Sequence, residues 1–146
     1  MTAKEYLQQI KRLDTRINLD LRELQHWRDL SSRISSVNFY ASGSSTRSIE
    51  PPFVKCLDKI MELEKKINAE IDSLINLKAE ILDCIHGLAN EDHQSVLEMR
   101  YISGFAWGRI ANEMHYSIRW IYKLHDAAIT ELQNILRNKK CAVKFT

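Results

Sequence analysis

The sequence predicts an all-α protein in which a long antiparallel, coiled-coil-like helical hairpin is followed by a C-terminal three-helix domain. Three observations support this prediction. Only four Gly and two Pro occur in 146 residues, a composition that favours long helices over a loop-rich sheet. Apolar residues recur every three or four positions over long segments. Turn-forming residues are concentrated in a few short stretches between those segments.

The first predicted helix extends from about Thr2 to Ile34. Its apolar residues form one stripe, namely Tyr6, Ile10, Leu13, Ile17, Leu21, Leu24, Trp27, Leu30 and Ile34. Steps of three and four residues are typical of a helix that packs along one side. A loop is predicted at about 35–52, because Ser-Gly-Ser-Ser-Thr and the pair Pro51-Pro52 favour turns and disfavour helix.

The second predicted helix begins near Phe53 and ends near Gly87 and Asn90. Its stripe consists of Leu57, Ile60, Leu63, Ile67, Ile71, Leu74, Leu77, Ile81, Ile85 and Leu88. The spacing is close to the 3.5 residues of a coiled coil. Neither helix can bury its stripe alone, so we expect residues 1–90 to form an antiparallel hairpin that serves assembly. Apolar positions left over, such as Ile75 and Leu82, favour a homodimer formed through the long helices.

The sequence predicts three shorter helices in residues 91–137 and a basic tail in residues 138–146. The helices cover about Asp92–Ile102, Phe105–Met114 and Ile118–Leu136, with turns at Ser103-Gly104 and His115-Tyr116. Ser117 is a good N-cap residue for the last helix. The positions expected to be buried are Val96, Leu97, Tyr101, Ile121, Leu124, Ala128, Leu132 and Ile135.

The last two of these helices have the pattern of a helix-turn-helix. The small residue Ala111 follows Ile110 where the two helices would touch, and Ile121 lies inside the second helix. The side chains expected on the outer side of the second helix are Ile118, Arg119, Trp120, Tyr122, Lys123 and His125. Cations beside planar side chains suit phosphate groups and base edges. Arg109 and Ser117 lie near the starts of the two helices, where phosphates commonly dock. Double-stranded DNA is therefore the predicted partner.

Some of these residues also have a purely structural interpretation. Ser117 can act as a cap alone, and Trp120 can pack half-buried against Trp107. The outward row as a whole can instead be a helix surface on which the protein packs against itself. Arg100 is either a site residue or a surface residue paired with Glu98 or Glu113.

The charge distribution agrees with an anionic partner. Residues 1–90 hold 13 Lys and Arg against 13 Asp and Glu, whereas residues 91–146 hold 8 against 6. The net charge of +2 thus arises in the last third of the chain. A basic excess of this kind favours a polyanion such as nucleic acid.

The C-terminal region also resembles a known family. The stretch that carries the resemblance is VLEMRYISGFAWGRIANEMHYSIRWIYKLHDAAITEL. It is similar, in the order and spacing of Leu97-Glu98-Met99-Arg100-Tyr101, Ser103-Gly104, Ile110-Ala111, Ser117, Ile121, Ala128 and Leu132, to the promoter-recognition region 4 of sigma-70 factors. The whole chain resembles short sigma-region-4-like proteins of prophages, akin to the ArpU and RinA late-gene regulators. The resemblance implies transcriptional control, with RNA polymerase as a further candidate partner.

The sequence departs from that family at two points. His115 stands where Gly is usual, and Ala106-Trp107 replaces the small polar start of the first motif helix. A His residue adopts the left-handed conformation at some cost. Nothing resembles the sigma region that melts the minus-ten promoter element, which favours a regulator or adaptor over a complete sigma factor.

Two other functions fit the same pattern. A small terminase-like DNA-packaging subunit also joins a helix-turn-helix to long oligomerising helices. A sigma-like adaptor that binds protein without binding DNA is the third hypothesis. The size of the assembly and the presence of DNA affinity distinguish these hypotheses.

Other classes of function are not indicated. The three Cys residues show no paired spacing, and the five His residues form no HxxxH or HExxH motif, so we expect no metal, cofactor or disulfide. No nucleophile motif or Gly-rich phosphate loop occurs, so we expect no enzyme and no small-molecule substrate. No segment approaches the roughly 20 apolar residues of a membrane span. We expect a cytoplasmic protein without membrane contact.

Overall fold

The computed structural model describes the backbone of residues 1–40 and 51–143, and the side chains of residues 1–34 and 51–139. These residues form helices and contain no strand, which confirms the all-α prediction. The α-helices are α1 (Ala3–Tyr40), α2 (Pro52–His86), α3 (Glu91–Leu97), α4 (Trp107–Met114) and α5 (Ile118–Val143). A π-helical segment, Glu98–Ile102, directly follows α3. Among the helices described, none combines the length and the apolar character needed to cross a membrane.

Two helices are longer than predicted. Helix α1 continues to Tyr40, because residues 35–40 contain no Gly or Pro that would end it. The predicted loop therefore does not begin at residue 35, and its residues 41–50 lie outside the described residues. Helix α5 extends to Val143 for the same reason. Residues 138–143 of the predicted basic tail are therefore helical, and residues 144–146 lie outside the described part.

The chain divides into two compact units, Met1–Leu13 with Leu74–Thr146, and Asp14–Ser73. The first unit combines the start of α1 and the end of α2 with α3, α4 and α5. The second unit contains the remaining parts of α1 and α2. The units thus divide both long helices between them.

The core of the first unit is apolar and closed. Leu7 of α1 and Ile81 of α2 are fully buried, as are Leu97 and Ile121. Complete burial of such a side chain stabilises the fold by roughly 1.5–3 kcal/mol. The predicted core residues Val96, Leu97, Ile121, Leu124, Ala128 and Leu132 are all buried, whereas Tyr101 and Ile135 are partly buried.

Polar contacts fix α5 within this unit. The Glu131 carboxylate accepts a hydrogen bond from the backbone N–H of Ala89 at 2.8 Å and lies 2.6 Å from Nδ1 of His93. Both contacts hold the pKa of Glu131 below its usual value, and the contact with His93 has the larger effect. Near the start of α1, the N–H of Ala3 donates to Oε1 of Gln133 at 2.6 Å. The start of α1 and the segment that joins α2 to α3 are therefore both bonded to the middle of α5.

The second unit has a smaller apolar core and a polar seam. Leu24, Leu63 and Ile67 form its buried cluster. Helices α1 and α2 run antiparallel here, because Asp20 faces Lys66 at 3.3 Å whereas Arg28, further along α1, faces the earlier residue Glu64 at 2.8 Å.

Asp20 occupies a core position where Leu21 was predicted. Asp20 is 8% exposed, whereas Leu21 is 43% exposed. Helix α2 contacts the row of α1 that steps from Ile17 to Asp20 and then to Leu24, and Leu21 lies about 100° further around the helix. The prediction that Leu21 belongs to the stripe is therefore wrong.

The seam brings two carboxyl groups together. Neither Oδ2 of Asp20 nor Oε2 of Glu70 has a hydrogen-bond partner among the described residues, although Nζ of Lys66 lies 3.3 Å from Asp20 Oδ2. Burial and the neighbouring Asp20 raise the pKa of Glu70, and the charges of Lys66 and Arg16 oppose that rise. This seam is therefore sensitive to protonation.

Candidate nucleic-acid interface

The turn between α4 and α5 depends on a left-handed residue. His115 ends α4 with φ 59° and ψ 37°. The N–H of Tyr116 donates to the carbonyl of Ala111 at 3.1 Å, and the N–H of His115 donates to Asn112 at 3.4 Å. This pair of bonds is the Schellman arrangement, in which Gly usually holds the left-handed position. His115 therefore performs the role of the Gly that the sequence lacks.

Ser117 caps α5 as predicted. Its Oγ accepts a hydrogen bond from the N–H of Trp120 at 3.1 Å, and its carbonyl accepts from the N–H of Ile121 at 3.0 Å. The cap leaves other N–H groups of the first turn of α5 without helical partners, as at every helix start. The start of α5 is exposed to solvent and keeps the positive end of the helix dipole available.

The two helices touch at the positions expected from the sequence. Ile110 and Ala111 of α4 are buried, as are Ile121 and Leu124 of α5. The small side chain of Ala111 lets the helices approach closely where a larger residue would hold them apart. The buried face of α5 is thereby fixed, and its opposite face is presented outward.

The outward face of α5 carries most of the predicted site residues. Ile118, Trp120 and Tyr122 expose 46%, 46% and 47% of their surface. Arg119 and Lys123 are also exposed. They are four residues apart, so their side chains lie one above the other on the same face. Two cations and three large apolar side chains thus share the first two turns of α5.

The exposed aromatic residues are held by neighbouring rings. Trp120 makes an edge contact with Tyr116 at 6.4 Å between ring centres, and Tyr122 makes one with Trp107 at 5.2 Å. Trp120 therefore packs beside Tyr116. It does not pack half-buried against Trp107, which was the structural interpretation that the sequence allowed. The Tyr116 hydroxyl donates to Asp92 at 2.9 Å, which raises the pKa of Tyr116. Hence the turn is joined to the start of α3.

His125 does not lie on the outward face. It is only 7% exposed. Its Nε2 is 2.7 Å from the Tyr101 hydroxyl, and its ring lies 4.9 Å from that of Trp107. Burial lowers the pKa of His125. The prediction that His125 is exposed for DNA contact is therefore wrong, because side chains from the π-helical segment and α4 cover this part of α5.

Two arginines are stacked on aromatic rings beside α4. The guanidinium of Arg109 lies 3.7 Å from the ring centre of Phe105, and that of Arg100 lies 4.3 Å from the ring centre of Trp107. Arg100 also donates from Nη1 to the carbonyl of Phe105 at 3.0 Å, so it does not pair with Glu98 or Glu113. Arg109 remains exposed near the start of α4.

The outward cations are not neutralised by any side chain that the structure describes. Within the residues that the structure describes, Arg109, Arg119 and Lys123 take part in no ion pair. Exposed acids nearby are Glu113 and Asp126. The side chains of these three cations are therefore available to an anionic group.

The structure exposes every predicted site residue except His125. The residues are Arg109 on α4, Ser117 in the turn, and Ile118, Arg119, Trp120, Tyr122 and Lys123 on α5. Tyr116 was not predicted as a site residue, yet it is 39% exposed and contacts Trp120. Its position in the turn directly before the cap was the available signal. In the described part of the chain, no cluster of three His, Cys, Asp or Glu side chains has the arrangement of a metal site.

Comparison with known proteins places the chain in one family. A family model described as "protein of unknown function (DUF1492)" matches residues 31–133. No curated protein and no solved structure matches the chain. The matched residues cover more than half of the chain, including all of α2, α3 and α4 and most of α5. The chain therefore belongs to the DUF1492 family.

Proposed function

We propose that this protein is a transcriptional regulator of phage or prophage type that binds specific duplex DNA through α4, the turn and α5. The observation that carries the proposal is the outward face of α5. It joins the exposed cations Arg119 and Lys123 to exposed Trp120 and Tyr122, on a helix whose start is capped and open to solvent. In a helix-turn-helix, the second helix enters the major groove with its N-terminal residues on the base edges.

The chemistry of the face suits that role. Arg119 and Lys123 supply donors for phosphate oxygens or for the acceptors of guanine. Ile118 and the rims of Trp120 and Tyr122 supply apolar surface for a thymine methyl group. Arg109, stacked on Phe105 at 3.7 Å, is held in one orientation and can contact the backbone phosphate beside the groove. The proposal thus assigns both affinity and sequence preference to this face.

The resemblance to sigma region 4 and to the ArpU and RinA regulators supports the same proposal. Two features of that resemblance have a physical counterpart in this chain. Ala111 lies buried at the helix contact, and the turn keeps its left-handed residue although the residue is His115. Transcriptional control is the function that this likeness favours.

The test is selection of bound fragments from the source genome by the purified protein, followed by affinity measurement across a salt series. We expect an enriched promoter-proximal site. The double variant Arg119→Ala and Lys123→Ala should lose that binding while keeping its helix content, because both side chains are exposed. With three phosphate-contacting cations per chain, the slope of log affinity against log salt should be about −3 per chain.

A matched control removes the same charge elsewhere. Lys11 and Arg22 are exposed on α1, so the double variant Lys11→Ala and Arg22→Ala lowers the net charge equally. It should bind the enriched site as the parent does. Equal losses in both double variants would show that binding depends on total charge only, and would contradict the site.

A protein partner is the second candidate function. Ile118, Trp120 and Tyr122 form an exposed apolar cluster, and a cluster of this kind is typical of surfaces that bind proteins. On this alternative the chain is an adaptor that contacts RNA polymerase. Tight binding of purified RNA polymerase, lost in Trp120→Ala, with no DNA enrichment at any salt concentration, would favour the adaptor over the regulator.

A further inference from the structure

The second unit leaves an apolar row on α2 open to solvent. Val54, Leu57, Met61 and Ile71 expose 36%, 38%, 68% and 37% of their surface. Glu64 and Asn68 fill the gap between Met61 and Ile71, and both are exposed. The six positions are separated by alternating steps of three and four residues, which is the spacing of a coiled-coil seam. This outer row extends about 25 Å along α2.

The outer row is distinct from the seam that faces α1. Leu63 and Ile67 belong to that inner seam and are buried with Leu24. Asn68 directly follows Ile67, so the outer row lies about 100° further around α2. A helix with two separate apolar rows is typical of a bundle in which it has two helical neighbours. Helix α1 packs against the inner seam and contacts the outer row through the ion pair between Arg28 and Glu64.

Leu21 extends the outer row onto α1. The ion pair between Arg28 and Glu64, 2.8 Å long, joins the two helices on this side. Leu21 lies seven residues before Arg28, and Ile71 lies seven residues after Glu64. Both are therefore two helical turns from the ion pair, on the same side and at the same level of the antiparallel helices. Leu21 is 43% exposed.

We propose that the part of this surface formed by Met61, Ile71 and Leu21 is the contact between two copies of the chain. Helix α2 packs antiparallel against α2 of the second copy, with the twofold axis beside residue 66. Positions 61 and 71 are equally distant from 66, so Met61 faces the partner's Ile71.

The polar residues of the row select this arrangement. Positions 64 and 68 are also equally distant from 66, so Glu64 faces the partner's Asn68 on both sides of the axis. Each carboxylate then accepts a hydrogen bond from an amide. A shift by one heptad in either direction sets Asn68 opposite Leu57 or Ile71 instead, which leaves a polar group unpaired at a cost. The part of the row from Met61 to Ile71 is therefore self-complementary, as a twofold contact requires.

The first test is the molecular mass of the full chain by sedimentation equilibrium over a wide concentration range, without DNA. We expect a dimer. The double variant Met61→Glu and Ile71→Glu should be monomeric with unchanged helix content, because both side chains are exposed. Leu19→Glu is the matched control, since Leu19 is 57% exposed but lies two residues from Leu21, about 200° around α1. It should remain dimeric.

A monomeric parent at every concentration would overturn the proposal, as would a dimer that survives the double variant or a closed ring of many chains. Because no DNA is present, the result does not depend on the proposed DNA binding. Loss of the dimer in Met61→Glu and Ile71→Glu would support the proposed contact even if Arg119→Ala and Lys123→Ala left DNA binding unchanged.

The second test measures orientation by cross-linking. Met61→Cys and Ile71→Cys are prepared as separate proteins, each with Cys56, Cys84 and Cys141 replaced by Ala. On oxidation, the mixture should form a disulfide-linked dimer, and each protein alone should form little. Efficient cross-linking of the Met61→Cys protein with itself would indicate parallel helices and contradict the proposed axis.

Discussion

The first unit closes its helices over wholly buried side chains such as Leu97 and Ile121, whereas in the second unit α1 and α2 meet across Asp20 and Ser31 as well as Leu24. An apolar core of the first kind stabilises its helices mainly by burial, and the buried His125 beside it contacts the Tyr101 hydroxyl. A seam that contains buried polar groups costs desolvation and stabilises less. The contrast indicates that the first unit is the firmer support, whereas the second unit carries two buried carboxyl oxygens without a hydrogen-bond partner among the described residues.

The largest expected effect tests the apolar core directly. Leu97→Ala should lower the free energy of unfolding of the first unit by about 2–5 kcal/mol, because it leaves a cavity in a closed core. Leu63→Ala, in the second unit, should cost less, since Leu63 is 8% exposed beside a polar seam. Urea unfolding, combined with peptide-resolved hydrogen exchange, measures the loss of stability in each of the two variants. A cost at Leu63 equal to or above that at Leu97 would break the comparison.

The second effect concerns the carboxyl pair. Glu70→Gln should stabilise the second unit at pH 7 by about 1–2 kcal/mol, because the new amide can donate to Asp20 and no buried carboxyl oxygen is left unpaired at position 70. Hydrogen exchange of α2 peptides from the second unit measures the gain. Asp72→Asn, which removes an exposed carboxylate two residues away, is the control and should change little.

The same pair gives the parent protein a pH dependence of known sign. The pKa of Glu70 is raised in the folded chain. A raised pKa contributes stability below the unfolded value of about 4.3, and that contribution is lost as the pH rises through the folded value. Protection of the second unit should therefore increase on acidification toward pH 5, and Glu70→Gln should flatten that increase. An equal increase in both proteins would assign the effect to another group.

The third prediction tests how much the cap of α5 contributes to the stability of the first unit. Ser117→Ala removes the acceptor of the Trp120 N–H and should lower stability by about 1 kcal/mol, as loss of a helix cap usually does. Thermal unfolding followed by circular dichroism measures this loss. Ser117→Asp restores an acceptor and should recover most of the stability. A loss that Asp does not restore would mean that Ser117 acts through something other than the cap.

The smallest expected effect is a gain at the turn. His115→Gly should raise stability by about 0.5–1 kcal/mol, because Gly adopts φ near 59° without the steric cost that His bears. His115→Ala keeps the steric cost and serves as the matched comparison. Chemical unfolding of both variants measures the difference. A stabilisation by Ala as large as that by Gly would show that the backbone of the turn is not the cause.

Much of the fold follows from periodicity, since packing against the protein's own core requires an apolar row on each helix. That rule predicted the buried residues Ile110, Ile121 and Leu132, and turn chemistry predicted the cap at Ser117. Periodicity could not decide whether Asp20 or Leu21 faces α2. Neighbouring positions differ by about 100°, and only the placement of α2 determines which of the two faces the seam.

The candidate site was predictable to a similar degree. The exposure of Arg119, Trp120 and Lys123 follows from the buried face of α5. The burial of His125 does not, because it results from Tyr101 and Trp107, which come from elsewhere in the chain. The stacking of Arg100 on Trp107 is likewise a tertiary contact that no local spacing indicates.

The π-helical segment after α3 has a consequence for how related sequences are aligned. The N–H of Ser103 bonds to the carbonyl of Glu98, five residues back and not four, so this turn holds one residue more than an α-helical turn. A relative that lacks one residue between Glu98 and Ile102 can keep the same path with an ordinary α-helical turn. A single-residue gap in this short segment is therefore compatible with unchanged topology, and family members of either length are expected to share the same α4 and α5.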